Sequence, residues 1–141
     1  MDGFDADVLI YAAVPDHPLG RRVLALLNAG SAEEPAGVGS VLLLPEVLAK
    51  PMRDGATDEV EVLAGLLAKL DLRALDLAIA ELATALASRY RLRAADAIHL
   101  ATAVGIGADR FITNNTRDFP TAIDEIDIVY PADLPDSMNG G

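Results

Sequence analysis

Short apolar runs recur along this chain, several of them bordered by acidic residues, and stretches with helical spacing separate them. Asp5-Ala6-Asp7 lies in the first run, Leu44-Pro45-Glu46 closes the second, Asp96 stands near the start of a helical stretch, and Asp118 follows Ile112-Thr113. Strands alternating with helices predict an α/β three-layer sandwich with a mainly parallel central sheet flanked by helices. In such sheets ligands bind beyond the carboxyl ends of the strands. Asp5, Glu46 and the segment Thr113 to Asp118 fall at or just after predicted strand ends, so one cleft could collect them.

The run from Phe4 to Val14 is compatible with a short strand that turns into a helix after Asp7. Pro18 opens a helix in which Leu19, Val23, Leu26 and Leu27 share a face. A loop is expected over residues 28–39, then a buried strand over Val41 to Leu44 ended by Pro45 and a short helix from Glu46 to Met52. Thr57 reads as the N-cap of a helix with Leu63, Leu66, Leu67 and Leu70 as its buried stripe, and Leu72 to Leu75 reads as a strand. Asp76 caps a helix through Tyr90, Ala94 to Val104 forms another that stops at Gly105 and Gly107, and strands follow over Arg110 to Thr113 and Ile126 to Tyr130. A tail is expected from about residue 131.

A chain of 141 residues suits one domain with its own core. It has no cysteine, which excludes disulfides, thiolate zinc sites and cysteine nucleophiles and leaves hard, oxygen-ligand metals as the plausible ones. No apolar run approaches the length of a membrane span, and a cytoplasmic location is expected. The net charge of −11 argues against broad electrostatic capture of nucleic acid. A polyanionic substrate would need a local basic patch; Arg89, Arg91 and Arg93 form the densest one, and Arg117 is a further candidate for RNA binding. The same arginines could instead be solvated charges near a helix C-terminus.

Carboxylates drawn from separate elements repel one another unless a cation sits among them. Magnesium or manganese accepts such oxygens while keeping waters for a substrate, and two such ions can activate water and stabilise the leaving oxygen of a phosphodiester. Taken singly each acid has another use: Asp5 as a turn residue, Asp7 as a helix N-cap, Glu46 and Asp96 as partners of a helix dipole.

The segments Asp5 to Ala12, Pro45-Glu46, Leu92 to Ala103 and Phe111 to Phe119 resemble, in order and spacing, the four signature segments of PIN-domain ribonucleases, especially the VapC-type toxins. The resemblance spans Phe4 to about Tyr130 and implies that Asp5, Glu46 and Asp96 are catalytic metal ligands for Mg2+ or Mn2+. The fourth family acid usually stands where this chain has Asn115, so Asp118 becomes its substitute as ligand and catalytic acid. Thr113 or Asn115 would then hydrogen-bond metal waters, and Asp7 takes a supporting role. The family further implies cleavage of single-stranded RNA, a homodimer, and often an antitoxin protein as partner.

Two rivals deserve comparison. Asp5-Ala6-Asp7 and Ile112-Thr113-Asn114 imitate a haloacid dehalogenase-type phosphatase, but that chemistry wants a downstream lysine and the last one is Lys69. A non-catalytic PIN-like scaffold would suit Asn115 and the charge of −11. His99, three residues after Asp96, reads as structural, because metal-bound water needs no separate histidine base; His17 reads as a loop residue.

Overall fold

The computed structural model describes residues 1–136; the remainder of the expected tail, 137–141, lies outside the described residues. Five strands, β1 (Asp2–Phe4), β2 (Gly37–Ser40), β3 (Leu70–Arg73), β4 (Arg110–Ile112) and β5 (Asp127–Val129), form one sheet in the order β3-β2-β1-β4-β5. Every pairing is parallel. Among the described residues six α-helices cover the sheet: α1 (Ala6–Ala12), α2 (Pro18–Leu27), α3 (Leu43–Arg53), α4 (Thr57–Leu67), α5 (Leu77–Tyr90) and α6 (Ala94–Gly105).

Side chains alternate across a strand, so a sheet covered on both faces needs apolar residues pointing both ways. Neighbouring positions here divide in that manner. Phe4 and Ile112, with the partly buried Val129, join the core packed by α1 to α4. Phe111 and its register partner Ile128 join a second core packed by α5, α6 and the segment carrying Phe119, Ile123 and Ile126. These two cores make the three layers of the expected α/β sandwich. Close approach of α6 to the sheet depends on Gly3, where any Cβ would press on the Ala103 side chain.

Two of the helix starts expected from sequence hold. Asp76 caps α5 through Ile79 N, 2.9 Å, and Pro18 begins α2. Several local expectations change. Helix α1 starts at Ala6, one residue before Asp7, because the Asp5 carboxylate accepts from Ala6 N at 2.8 Å and serves as its N-cap. The strand expected over Val41 to Leu44 lies earlier, over Gly37–Ser40, and Leu43 and Leu44 already belong to α3. Pro45 does not end a strand; it sits in the first turn of α3, where a missing N–H costs nothing. Glycine is required in β2 by crowding, since a Cβ at Gly37 would collide with the Asp2 carbonyl and the Phe4 ring.

Likewise β3 runs from Leu70 to Arg73 instead of Leu72 to Leu75, so Leu70 contributes to the core from the strand. Thr57 is the first residue of α4, not its cap. His17, read as a loop residue, is the N-cap of α2: its Nδ1 accepts from Leu19 N and Gly20 N at 3.2 and 3.1 Å, and its ring stacks on Tyr11. Residues Pro131–Asp133 form a 3-10 turn held by Arg22, which donates to the carbonyls of Ala132 and Leu134.

Strand order reverses at β1. From β1 the chain moves outward through β2 to β3, then returns by α5 and α6 to β4 on the other side. The crevice at the carboxyl ends of β1 and β4 is therefore the topological switch point, where open α/β sheets bind ligands.

Candidate metal centre at the switch point

Asp5 leaves β1 directly into this crevice and Thr113 leaves β4 directly into it. Asp5 N donates to Ile112 O at 3.0 Å, which continues the ladder by one residue and locks the two strand ends together. The Thr113 hydroxyl donates to Asp5 Oδ2 at 2.7 Å, and Asn115 N donates back to Thr113 Oγ1 at 3.1 Å. Both oxygens of buried Asp5 thus have a donor. Asp7, in the first turn of α1, accepts from Asn114 N at 3.1 Å through Oδ2, whereas its Oδ1 is buried without a partner.

Glu46 enters from the first turn of α3 and Asp96 from the first turn of α6. His99, one turn after Asp96, places Nε2 3.0 Å from Glu46 Oε1 and so joins α6 to α3. Asp118 stands in the turn after β4, where it accepts from Asn115 Nδ2 at 2.9 Å and its own N donates to Asn115 Oδ1 at 3.2 Å.

The charges of these acids act on each other. Burial pushes the Asp5 carboxyl up from the ordinary carboxylate range and Glu46 adds to the push, while the Thr113 hydroxyl and His99 pull it down. Asp7 is raised to about 7, first by burial and then by the negative charges of Asp5 and Asp96. Asp96 is raised by burial, then by Asp5 and Asp118, with Glu46 in the same direction. The charged groups acting most strongly on these three are one another, Glu46 and Asp118, which raise them, and His99, which lowers Asp5 and Asp96. Gathering carboxylates at a strand-end crevice is costly, and groups perturbed in this way cluster at functional sites.

A family model described as PIN domain matches residues 4–124. The chain belongs to the PIN domain family. A solved structure similar to it is a chain of a toxin-antitoxin complex from Klebsiella pneumoniae, with a TM-score of 0.70 and 27% identity over 91% of this chain and 95% of that one. Among curated proteins none matches.

In this PIN domain the residues singled out from sequence separate into two groups. Asp5, Asp7, Glu46, Asp96, Thr113, Asn115 and Asp118 share the crevice through the hydrogen bonds and charge interactions just described. The arginines are dispersed by their local roles. Arg89 pairs with Asp124 at 3.3 Å and Glu125 at 3.4 Å and lies over the Tyr90 ring. Arg91 is the left-handed C-cap of α5, φ 57°, and Arg93 is the exposed N-cap residue of α6, one turn before Asp96. Arg117 is exposed in the turn that carries Asp118. Sequence reasoning passed over the contact of His99 with Glu46 and the second hydrogen-bond route from Asn114 to the Tyr11 hydroxyl, 3.4 Å. For His99 the available signal was its spacing on α6, one turn from Asp96.

Among the described residues no three His, Asp or Glu side chains already form a closed ligand group. The donors still fit a hard divalent ion. All are carboxylate oxygens, Asp7 Oδ1 lacks any partner, and burial followed by mutual repulsion raises Asp7 and Asp96. Magnesium keeps several waters and takes one or two carboxylates, so it does not need a closed protein cage.

Proposed function

We propose that this PIN domain is a metal-dependent endoribonuclease that hydrolyses phosphodiester bonds of single-stranded RNA, acting as the toxin of a toxin–antitoxin pair. PIN domains are generally nucleases, and the similar structure is a toxin-antitoxin complex. The observation that carries the reading is the convergence of Asp5, Asp7, Glu46, Asp96 and Asp118 on one crevice, where burial and then mutual repulsion raise Asp5, Asp7 and Asp96.

Asp5, Glu46, Asp96 and Asp118 would hold Mg2+ or Mn2+, which when bound supplies an activated water and offsets charge on the cleaved phosphate. The chain's own groups prepare that position. Thr113 and the Ala6 N–H fix the Asp5 carboxylate, Asn115 fixes Asp118, and Asn114 N fixes one oxygen of Asp7. Asp7 thereby braces the turn bearing Asn115 and Asp118 against α1. Arg91, Arg93 and Arg117 are the exposed cations on the segments that lead into the crevice, and they would meet RNA phosphates there, while Arg89 already serves Asp124 and Glu125. With a net charge of −11, RNA contact stays local and an antitoxin with a basic segment is the natural partner. A homodimer and a cytoplasmic setting complete the reading; among the described residues no helix is long and apolar enough to cross a membrane.

Purified protein incubated with a single-stranded RNA is expected to cut it in Mg2+ or Mn2+ and to stop in excess EDTA. A protein that leaves RNA intact and takes up no divalent ion in calorimetry would instead be a binding scaffold. That second reading draws on Asn115, whose side chain is committed to Asp118 where the family usually has an acid.

A further inference from the structure

Each acid of the crevice differs in how its carboxylate is held. Asp5 has two donors, Asp7 one backbone donor, and Asp118 the Asn115 amide and its own turn. Glu46 has the longest side chain of the set and the most rotamers to lose, and its side chain is about one-third exposed. Among the described residues its side chain has one hydrogen-bond partner, His99 Nε2. His99 itself is buried to 2% exposure, and its Nδ1 is buried with no partner.

Those contacts fix the chemistry of the ring. An ionised Glu46 Oε1 is an acceptor only, so the hydrogen between them belongs to Nε2. The tautomer with its one hydrogen on Nδ1 would leave that buried N–H unmet and set two acceptors against each other. Almost complete burial leaves the ring little room to swing away. A rigid buried donor therefore grips a flexible carboxylate that arrives from another helix.

We propose that His99 is a positioning residue: its Nε2–H holds Glu46 Oε1 and so leaves Oε2 turned to a divalent cation at the switch point. The inference rests on the metal-dependent reading above. His99 neither ligates the ion nor moves a proton. Its work is to remove the rotamer freedom of Glu46 before the ion arrives, as outer partners of metal ligands do.

The test compares two amides of different reach in the full chain. His99→Gln carries its amide nitrogen about where Nε2 stands and can still donate to Glu46; His99→Asn stops at the depth of Nδ1 and cannot. Mn2+ binding by calorimetry is expected to stay near wild type in H99Q and to weaken roughly 10–100-fold in H99N. In a Glu46→Ala background the gap between the two is expected to vanish, because the donor has lost its acceptor. Equal Mn2+ affinity of H99N and H99Q, or a gap that persists in the Glu46→Ala background, overturns the proposal and leaves the metal reading intact. Wild-type protein that takes up no Mn2+ overturns the metal reading, and this inference with it. Nitrogen-detected NMR of wild-type protein gives an answer even where a variant fails to fold: a hydrogen is expected on Nε2, and a bare Nε2 sinks the proposal.

Discussion

Strands β1 and β4 lie side by side in register, yet their two ends are built on opposite electrostatic plans. At the amino end Asp2 faces Arg110, and the guanidinium reaches both carboxylate oxygens, at 2.9 and 2.8 Å. Beside them the N-terminal amine pairs with Asp109. Every charge there has its opposite within hydrogen-bonding distance. At the carboxyl end, a few residues along the same strands, Asp5 and its neighbours meet hydroxyls, amides and one another, and burial with like charge raises Asp5, Asp7 and Asp96. The chain is evidently able to place an arginine against an aspartate across these strands. Leaving the other end with no such arginine against its aspartates is a cost that folding alone does not require, and a bound cation is what would repay it.

The largest expected effect comes from cancelling one charge at the carboxyl end. Asp96→Asn should lower RNA cleavage by at least about a hundredfold, since partners one shell removed from a metal already cost roughly 10–100-fold. Its metal-free melting temperature should hold or rise, because one of the repelling charges is gone. Full cleavage by this variant would remove Asp96 from the metal set.

Asp7 gives the next effect, read through pH. Its carboxyl is raised to about 7 in the folded protein, so between its ordinary value and pH 7 the native state keeps a proton that the unfolded chain has released. The contribution of Asp7 to metal-free stability should therefore be greatest in acid and fall as pH rises through that window, by up to about 4 kcal/mol at 1.36 kcal/mol per pH unit. Asp7→Asn should flatten this slope and melt higher than wild type at pH 8. A wild-type slope unchanged by the substitution would show that another group carries it.

Reading the chain alone recovered the carboxyl end better than the strands that build it. Asp5, Asp96 and Asp118 sit beside strong local signals, a run of apolar residues, a helix start and a strand end. Strand β2 was misplaced because Gly37-Val38-Gly39 looks like loop composition, and the reason for those glycines, the closeness of Phe4 and Leu43, exists only once β1, β2 and α3 have packed. The pairing of Arg89 with Asp124 and Glu125, and of His99 with Glu46, joins residues 35 or more positions apart, which no local periodicity announces. His17 was missed as a cap for a different reason: imidazole Nδ1 can do what Ser or Asp does at a helix start, but it is not the residue type that normally signals one.

At the amino end the expected effect is smaller and purely structural. Arg110→Met keeps most of the side-chain stem while deleting the bidentate pair with Asp2. Stability should drop by about 1 kcal/mol, the scale of partly exposed ion pairs, and the melting temperature by a few degrees. RNA cleavage should be unchanged under conditions where the variant is folded. A cleavage defect in folded Arg110→Met would mean that the two ends of the strands are coupled, and the contrast between them would fail.

The smallest and sharpest test makes the carboxyl end more acidic. Asn115→Asp puts a carboxylate where the amide now donates to Asp118 at 2.9 Å, replacing a hydrogen bond by a repulsion. Without metal the variant should lose about 1 kcal/mol, the worth of one such bond. Asp118 N can still find an acceptor at residue 115, so the turn itself should survive. If the crevice is arranged around a cation, Mn2+ should then raise the melting temperature of Asn115→Asp by more than it raises that of wild type, since the added charge is answered only when the ion is bound. Equal shifts in the two proteins would place residue 115 away from the ion and leave Asp118 as the acid of that turn which reaches it.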